Sequence, residues 1–267
     1  MKIHAMYWSA TGTTEKVVRA IAQAIAGQEK IAIHDFTLPQ AREQSIVFAE
    51  SDAVIFGTPV YAGRVPNVLL KYLATVQGNG ALAVPVVLFG NRDYDDALIE
   101  LRDILEANGF HTIAGAAFVG EHAFSRTLAA GRPDAQDMQI AEDFAMQVKA
   151  RLDAGNPQTP APVAGQTPVR PYYTPRDRAG NPVNILKVKP KTDMEKCDHC
   201  GICATVCPMG SIDRQQPDSI HGICIKCCAC QKKCPKDAKY FDDSGYLYHK
   251  EELELGYARR AQPALFL

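Results

Sequence analysis

Nine cysteines crowd between positions 197 and 234, and the 196 residues before them contain none. Eight fall into two runs, Cys197, Cys200, Cys203, Cys207 and Cys224, Cys227, Cys230, Cys234. Each run reads C-x-x-C-x-x-C-x-x-x-C-P, and every offset between them is 27 residues. Thiolates are soft ligands, and in a reducing compartment clustered cysteines hold metal more often than they form disulfides. Three thiolates two residues apart can wrap a tight turn around one face of an iron–sulfur cubane, a short helix carries the fourth away, and proline ends that turn. A zinc ribbon uses four ligands and has no need of a third Cys, a fourth Cys and a Pro twice over. The spacing therefore predicts iron–sulfur chemistry. Cys228 has no place in the pattern and reads as a small packed residue. His199, inside the first run, reads as a solvent-facing spacer.

Over residues 191–243 the chain resembles two-cluster ferredoxins of the bacterial type. The resemblance implies two [4Fe–4S] clusters with crossed ligation. One takes Cys197, Cys200, Cys203 and Cys234; the other takes Cys224, Cys227, Cys230 and Cys207. Residues 156–267 hold 16 Lys+Arg and 12 Asp+Glu, a net of +4. Two oxidised clusters would bring that half to about zero. The lysines at 187, 189, 191, 226, 232, 233, 236 and 239 then balance cluster charge and call for no nucleic-acid partner.

A different chemistry is written at the other end. Ser9-Ala10-Thr11-Gly12-Thr13-Thr14 follows an apolar run and opens a helical pattern. Hydroxyls and backbone N–H groups at a helix start make a phosphate site. The loop is no Walker A motif, because it lacks Gly-Lys-Ser/Thr. Two further loops, Gly57-Thr58-Pro59-Val60-Tyr61-Ala62-Gly63-Arg64-Val65-Pro66 and Gly90-Asn91-Arg92-Asp93-Tyr94-Asp95, fall after the third and fourth predicted strands. Open α/β sheets bind ligands at such carboxyl ends. Gly78-Asn79-Gly80-Ala81-Leu82-Ala83 matches G-x-G-x-x-A, but it precedes a strand and reads as a helix stop plus turn.

The hydroxyl-rich loop resembles the FMN-phosphate loop of flavodoxins, and the other two resemble their ring-contacting loops. That resemblance implies FMN held by Ser9, Thr11, Gly12, Thr13, Thr14, Thr58, Pro59, Val60, Tyr61, Gly90, Asn91 and Tyr94. Tyr61 and Tyr94 would flank the ring, with Trp8 an alternative shield. Gly120–Asp134 departs from both flavodoxin patterns, and its Glu121-His122-Ala123-Phe124-Ser125 reads as interface packing. The whole chain is similar to flavodoxin–ferredoxin fusions of anaerobic bacteria and archaea. Such a fusion would adapt two-electron to one-electron carriers, exchanging electrons with a soluble electron-transfer protein or redox enzyme. No acid–base pair stands out as catalytic. A flavin-dependent reductase of a small molecule is the alternative, with His122 or Arg92 as proton donor. A redox sensor signalling by domain docking is a third reading, weakened by the missing effector domain.

These loops need a frame. Ile3–Trp8, Lys30–Phe36, Asp52–Gly57, Val84–Gly90 and Ile113–Val119 read as strands, several apolar throughout as in a sheet buried on both faces. Thr14–Ala26, Val65–Val76, Asp95–Asn108 and Asp137–Leu152 have helical spacing, and Pro39–Glu50 is a weaker, short helix. The alternation gives an α/β class, which the resemblance makes a flavodoxin-like five-stranded parallel sheet of order 2-1-3-4-5 beside a small α+β ferredoxin-like unit. The expected limits are 1–154 for the FMN domain, 155–191 for a linker, 192–245 for the cluster domain and 246–267 for a helical tail. Eight of the 37 linker residues are proline, and Tyr172-Tyr173 and Ile185-Leu186 suggest a linker pinned to a surface. The tail's Ala264-Leu265-Phe266-Leu267 reads as a domain cap. The net charge of −1 gives no whole-chain attraction to nucleic acid. No secretory signal and no span of membrane length is visible, so a cytosolic protein with no membrane partner is expected. A homodimer is left open.

Overall fold

A computed structural model describes residues 1–155 and 159–267; positions 156–158 of the expected linker lie outside the described residues. Strand β1 (Lys2–Tyr7) lies between β2 (Ala32–Asp35) and β3 (Asp52–Pro59). Next come β4 (Leu82–Phe89) and a fifth strand in two pieces, β5 (His111–Thr112) and β6 (Gly115–Val119), all parallel. The order 2-1-3-4-5 is the predicted one.

Both faces are covered, which is why these strands are apolar along their whole length. Met6 and Trp8 face a core with Leu69, Leu73, Leu101 and Leu105. These leucines come from α2 (Asn67–Leu73) and α3 (Ala97–Ala107). Ala5 and Tyr7 face the opposite core, with Val17, Val18 and Ile21 of α1 (Thr13–Ala26) and Phe144 and Val148 of α4 (Ala135–Asp153). Helix α2 is shorter than its apolar pattern because Pro66 sets its start. The weak helix after Pro39 is only a 3-10 turn, Pro39–Arg42. Gly57 lets α1 approach the sheet; a Cβ there would collide with Val18.

The expected helical tail is in fact a helix and a strand. Helix α7 (Ser244–Gly256) is followed by β9 (Ala264–Phe266), which pairs antiparallel with β6 and covers the open edge of the sheet.

The cysteine-rich unit is small. Strands β7 (Lys191–Thr192) and β8 (Lys239–Tyr240) pair, and two single-turn helices, α5 (Ile202–Thr205) and α6 (Ala229–Lys232), follow the cysteine turns. The 27-residue repeat is repeated in the backbone. Left-handed φ values occur at His199 and Lys226, at Gly201 and Cys228, and at Gly210 and Asp237.

The linker lies against the sheet domain. Ala161 N–H donates to Thr112 O at 2.9 Å and Tyr173 N–H to Ala62 O at 2.8 Å, while the Tyr172 hydroxyl donates to Val65 O at 2.9 Å. Its main clasp is Asp96, a fully buried carboxylate. Asp96 accepts from Gln166 N at 3.0 Å, Arg170 N at 2.8 Å and the Arg170 guanidinium at 2.7 and 2.8 Å. The guanidinium holds the Asp96 carboxyl down to about 2, against its usual 3.8. A carboxyl lowered on folding adds stability above its unfolded pKa, and loses it as pH falls through the folded one. Pepsin cleavage of the linker should therefore accelerate between pH 4 and pH 2. Asp96→Asn should show only the protease's own change of rate over this range; the same change in the unaltered protein would show that the clasp does not hold the linker.

Candidate flavin and cluster sites

The chain's eight repeated thiols form two groups, each mixing both runs. Cys197, Cys200 and Cys203 line one hollow together with Cys234. Cys224, Cys227 and Cys230 line another together with Cys207. The turns build this exchange: after each run's third cysteine a single helical turn swings the fourth toward the other group. Both fourth cysteines are held alike, Cys207 Sγ accepting from Ser211 N at 3.4 Å and Cys234 Sγ from Ala238 N at 3.3 Å. Among the described residues no three His, Cys, Asp or Glu side chains converge as a single-ion site requires. The donor sets, four thiols around a hollow twice over, fit cubanes.

Cys228 lines the second hollow but turns into protein. Its Sγ meets Lys226 O at 3.3 Å and the Tyr246 hydroxyl at 3.4 Å, beside buried Phe241. It stands where the first repeat has Gly201, in the same left-handed conformation.

A cavity of about 280 Å³ opens at the carboxyl ends of β1, β3 and β4. Thr11, Thr13 and Thr14 line it together with Trp8, Pro59, Val60, Tyr61 and Gly90. Tyr61 meets the Trp8 ring edge-on, centroids 5.9 Å apart. Helix α1 is preceded by Gly12 (φ 94°), which offers no side-chain cap; Ser9 Oγ accepts from Glu15 N at 3.0 Å, and the Thr13 and Thr14 amides are left to an anion. Trp8 Nε1 and Thr58 Oγ1 are buried without partners among the described residues. Uncapped amides, hydroxyls and an apolar slot suit a phosphate joined to a flat ring.

The cavity has a second side. Ile225, Lys226 and Cys227 of the second cysteine run line it, with Tyr173 and Ile185 of the linker and His249 of α7. His122 also faces it, its ring packed against Gly90, where a Cβ would collide with it. His122 Nδ1 accepts from Phe124 N at 3.1 Å, so the proton of the neutral ring sits on Nε2. Burial, then His249 and Lys232, pushes its pKa down to about 4, so it stays neutral near pH 7.

Residues 5–90 match the family model described as a flavodoxin domain, and residues 189–212 match one described as a 4Fe-4S binding domain. The chain joins a flavodoxin domain to a 4Fe–4S domain. Similar solved structures include a flavodoxin of Streptococcus pneumoniae TIGR4, 18% identical over 55% of this chain and 97% of that one, TM-score 0.39. Flavodoxin 1 of Bacillus cereus is 17% identical over 55% and 96%, TM-score 0.39. A flavodoxin from the domain Archaea is 14% identical over 57% and 99%, TM-score 0.41. No curated protein matches the chain. The two domains support electron transfer involving a flavin and iron–sulfur, and no helix among the described residues is long and apolar enough to cross a membrane.

Not every expected flavin contact of the flavodoxin domain meets the cavity. Thr11, Thr13, Thr14, Pro59, Val60, Tyr61 and Gly90 line it, and Gly12 lines an adjoining groove. Ser9 lies behind the loop, its hydroxyl accepting from Glu15 N at 3.0 Å. Thr58 is buried in β3. Asn91 faces the tail: its amide donates to Tyr257 O and Arg259 O, both at 2.6 Å, and accepts from Ala261 N at 3.2 Å. Tyr94 packs on Phe89 and does not line the cavity. In its place stands Tyr173, with the Arg92 guanidinium 4.6 Å above its ring. Tyr173 showed in the sequence only as an aromatic in a proline-rich segment. His122 and Phe124, read as interface packing, also line the cavity.

Proposed function

We propose that the chain passes electrons between two [4Fe–4S] clusters and one FMN, and so couples one-electron to two-electron redox partners. The observation that carries this is Cys227: it lines the second thiol hollow and also the cavity of the flavodoxin domain. The cluster of Cys207, Cys224, Cys227 and Cys230 is then the near one. The cluster of Cys197, Cys200, Cys203 and Cys234 is the outer one, and exposed Cys200 marks where a soluble donor or acceptor docks. FMN supplies one- and two-electron chemistry when bound. The chain supplies the rest. Thr11, Gly12, Thr13 and Thr14 hold the phosphate, and Trp8, Pro59, Val60, Tyr61 and Gly90 shape the ring slot. Tyr173, Ile185 and Leu186 exclude water from the open side. The functional units are 1–154, the linker 155–191, the cluster domain 192–245, and a tail, 246–267, that returns to the flavodoxin domain.

Protein purified without oxygen and loaded with FMN should contain about eight iron and eight acid-labile sulfides per chain. On mixing with a reductant, flavin bleaching should follow cluster bleaching at a rate independent of protein concentration. Stoichiometric zinc without sulfide would refute the clusters, and a rate rising with protein concentration would refute transfer within one chain.

A second reading, reduction of a small molecule at the flavin, is favoured by His122 and Arg92, which both line the cavity. Multiple turnover of one acceptor, lost in His122→Phe with FMN and iron retained, would establish it.

A further inference from the structure

We infer that cluster assembly and FMN binding are thermodynamically linked, because one ten-residue segment, 224–233, both carries the near cluster's thiols and forms part of the flavin's enclosure. This rests on the reading of the cavity as the FMN site. Ile225, Lys226 and Cys227 line the ring slot. At the other end Lys232 and Lys233 line a groove opposite Thr11, Gly12, Thr13 and Lys16, where the phosphate loop opens outward. Cys224 and Cys227 stand at the first of these ends, and Cys230 lies between the two.

The segment has little regular structure of its own; its shape rests on its thiols and on contacts made to other elements. Helix α6 is one turn, too short to persist alone. Lys226 and Cys228 both sit at left-handed φ, 55° and 58°, which residues with a Cβ adopt only under outside constraint. The residues that it buries are Cys227, Cys228, Ala229 and Cys230. Three of these four are thiols, and two of the three belong to the proposed near cluster. Ligation is then the force that fixes the turn, as metal binding is folding in small metal domains.

The same segment makes the bonds across to the flavodoxin domain. The Lys232 ammonium pairs with the Glu121 carboxylate and donates to His122 O at 2.8 Å and Ser125 O at 2.7 Å. Lys226 donates to Leu186 O at 3.1 Å and Cys224 O at 3.0 Å, tying the linker's part of the cavity wall to the turn. Around the groove the other cations have acceptors: Lys16 donates to Pro133 O at 2.7 Å, and Arg132 pairs with Asp137. Lys233 is exposed, and its ammonium makes no hydrogen bond or ion pair among the described residues. It is thus the groove's available partner for a dianionic phosphate. Losing the cluster would release this lysine from the groove and open the ring slot together. Linkage is reciprocal, so bound FMN must strengthen the hold on the near cluster by the same factor.

The test uses the full chain in three forms, with FMN titrated into each without oxygen and followed by quenching of its fluorescence. The forms are the cluster-loaded chain stripped of flavin, the same chain after its iron is removed by a chelator, and a cluster-loaded Lys233→Glu variant of unchanged iron content. FMN should bind the iron-free chain at least about tenfold more weakly than the loaded one. Lys233→Glu should weaken binding several-fold, and more at low salt than at high salt. At equilibrium with a competing chelator, less iron should leave the chain with FMN bound than without it. Equal affinity in the loaded and iron-free chains, with equal iron release, would overturn the linkage. An unaffected Lys233→Glu variant would overturn the role of the groove, even if the iron-free chain proved unfolded. FMN failing to bind the loaded chain at all would instead refute the flavin site.

Discussion

Cys207→Ser is expected to remove the cluster grouped with the other cysteine run. Iron should fall from about eight to about four atoms per chain, and the cluster held by Cys197, Cys200, Cys203 and Cys234 should survive. The reason is geometric: Cys207 lies in the hollow of Cys224, Cys227 and Cys230, with its sulfur fixed by the Ser211 amide. Serine offers an oxygen in place of a soft thiolate, and the turn between Cys224 and Cys230 buries mostly its own thiols, so it depends on ligation for its shape. FMN would then lose its neighbouring electron carrier, and reduction of the flavin by an external one-electron donor should cease. Cys234→Ser should instead remove the outer cluster. Cys228→Ser is the internal control: its sulfur contacts Lys226 O and Tyr246, so both clusters should remain. Electron paramagnetic resonance of the reduced variants, read with iron and sulfide analysis, distinguishes the cases. If Cys207→Ser damaged the group of Cys197, Cys200 and Cys203, the crossed grouping would be refuted.

Thr13→Asp is expected to leave the fold intact and to weaken FMN binding strongly. Thr13 opens α1 and lines both the ring cavity and the adjoining groove. A carboxylate in the first turn of a helix is favourable by about 0.3–1 kcal/mol, so the melting temperature of the flavin-free protein should hold or rise. Against a dianionic phosphate the same carboxylate is repulsive, and it displaces a hydroxyl donor whose bond to a charged group is worth about 1.5–3 kcal/mol. A loss of about 2–3 kcal/mol, roughly 30- to 150-fold in Kd, should follow. Thr13→Val, which removes the hydroxyl without adding charge, should cost less than Thr13→Asp. Titration calorimetry at two salt concentrations separates the parts, since only the charged variant's penalty shrinks with salt. Unchanged affinity in Thr13→Asp would reduce the loop to an ordinary helix start.

What could be read in advance follows from how far each signal reaches. The central strands were legible because each carries its own evidence: Ile3–Trp8 and Val84–Gly90 are apolar at successive positions, which a sheet covered on both faces demands. The cysteine runs were legible because ligand spacing is a local constraint. Asn91 and Tyr94 were not, since both sit in a turn whose direction depends on partners far along the chain. Asn91 has a left-handed φ of 68° and bonds carbonyls at Tyr257 and Arg259. Tyr173 reaches the cavity through bonds to distant residues, Asp96 with Arg170 and Ala62 O with its own amide, and no periodicity in a proline-rich segment announces that. Likewise Ala264–Phe266 is too short to declare itself a strand; its partner, β6, lies about 150 residues earlier.

The strand at 264–266 makes the electron-carrying unit a suspended body. The polypeptide leaves the sheet after α4 and comes back to it at β9, so the thiol-rich unit hangs from two attachment points on one support. A unit tied at one end sweeps a volume set by its tether, and its dwell time beside the flavin is a matter of effective concentration. A second tie shrinks that volume and removes most rotations about the first. The closure entropy grows only slowly with the length of the intervening chain, so a long excursion adds little to its cost. Cutting the chain after Arg260 would remove the covalent second tie and leave the unit's position to the clasp and to the polar contacts of Asn91 and Lys232.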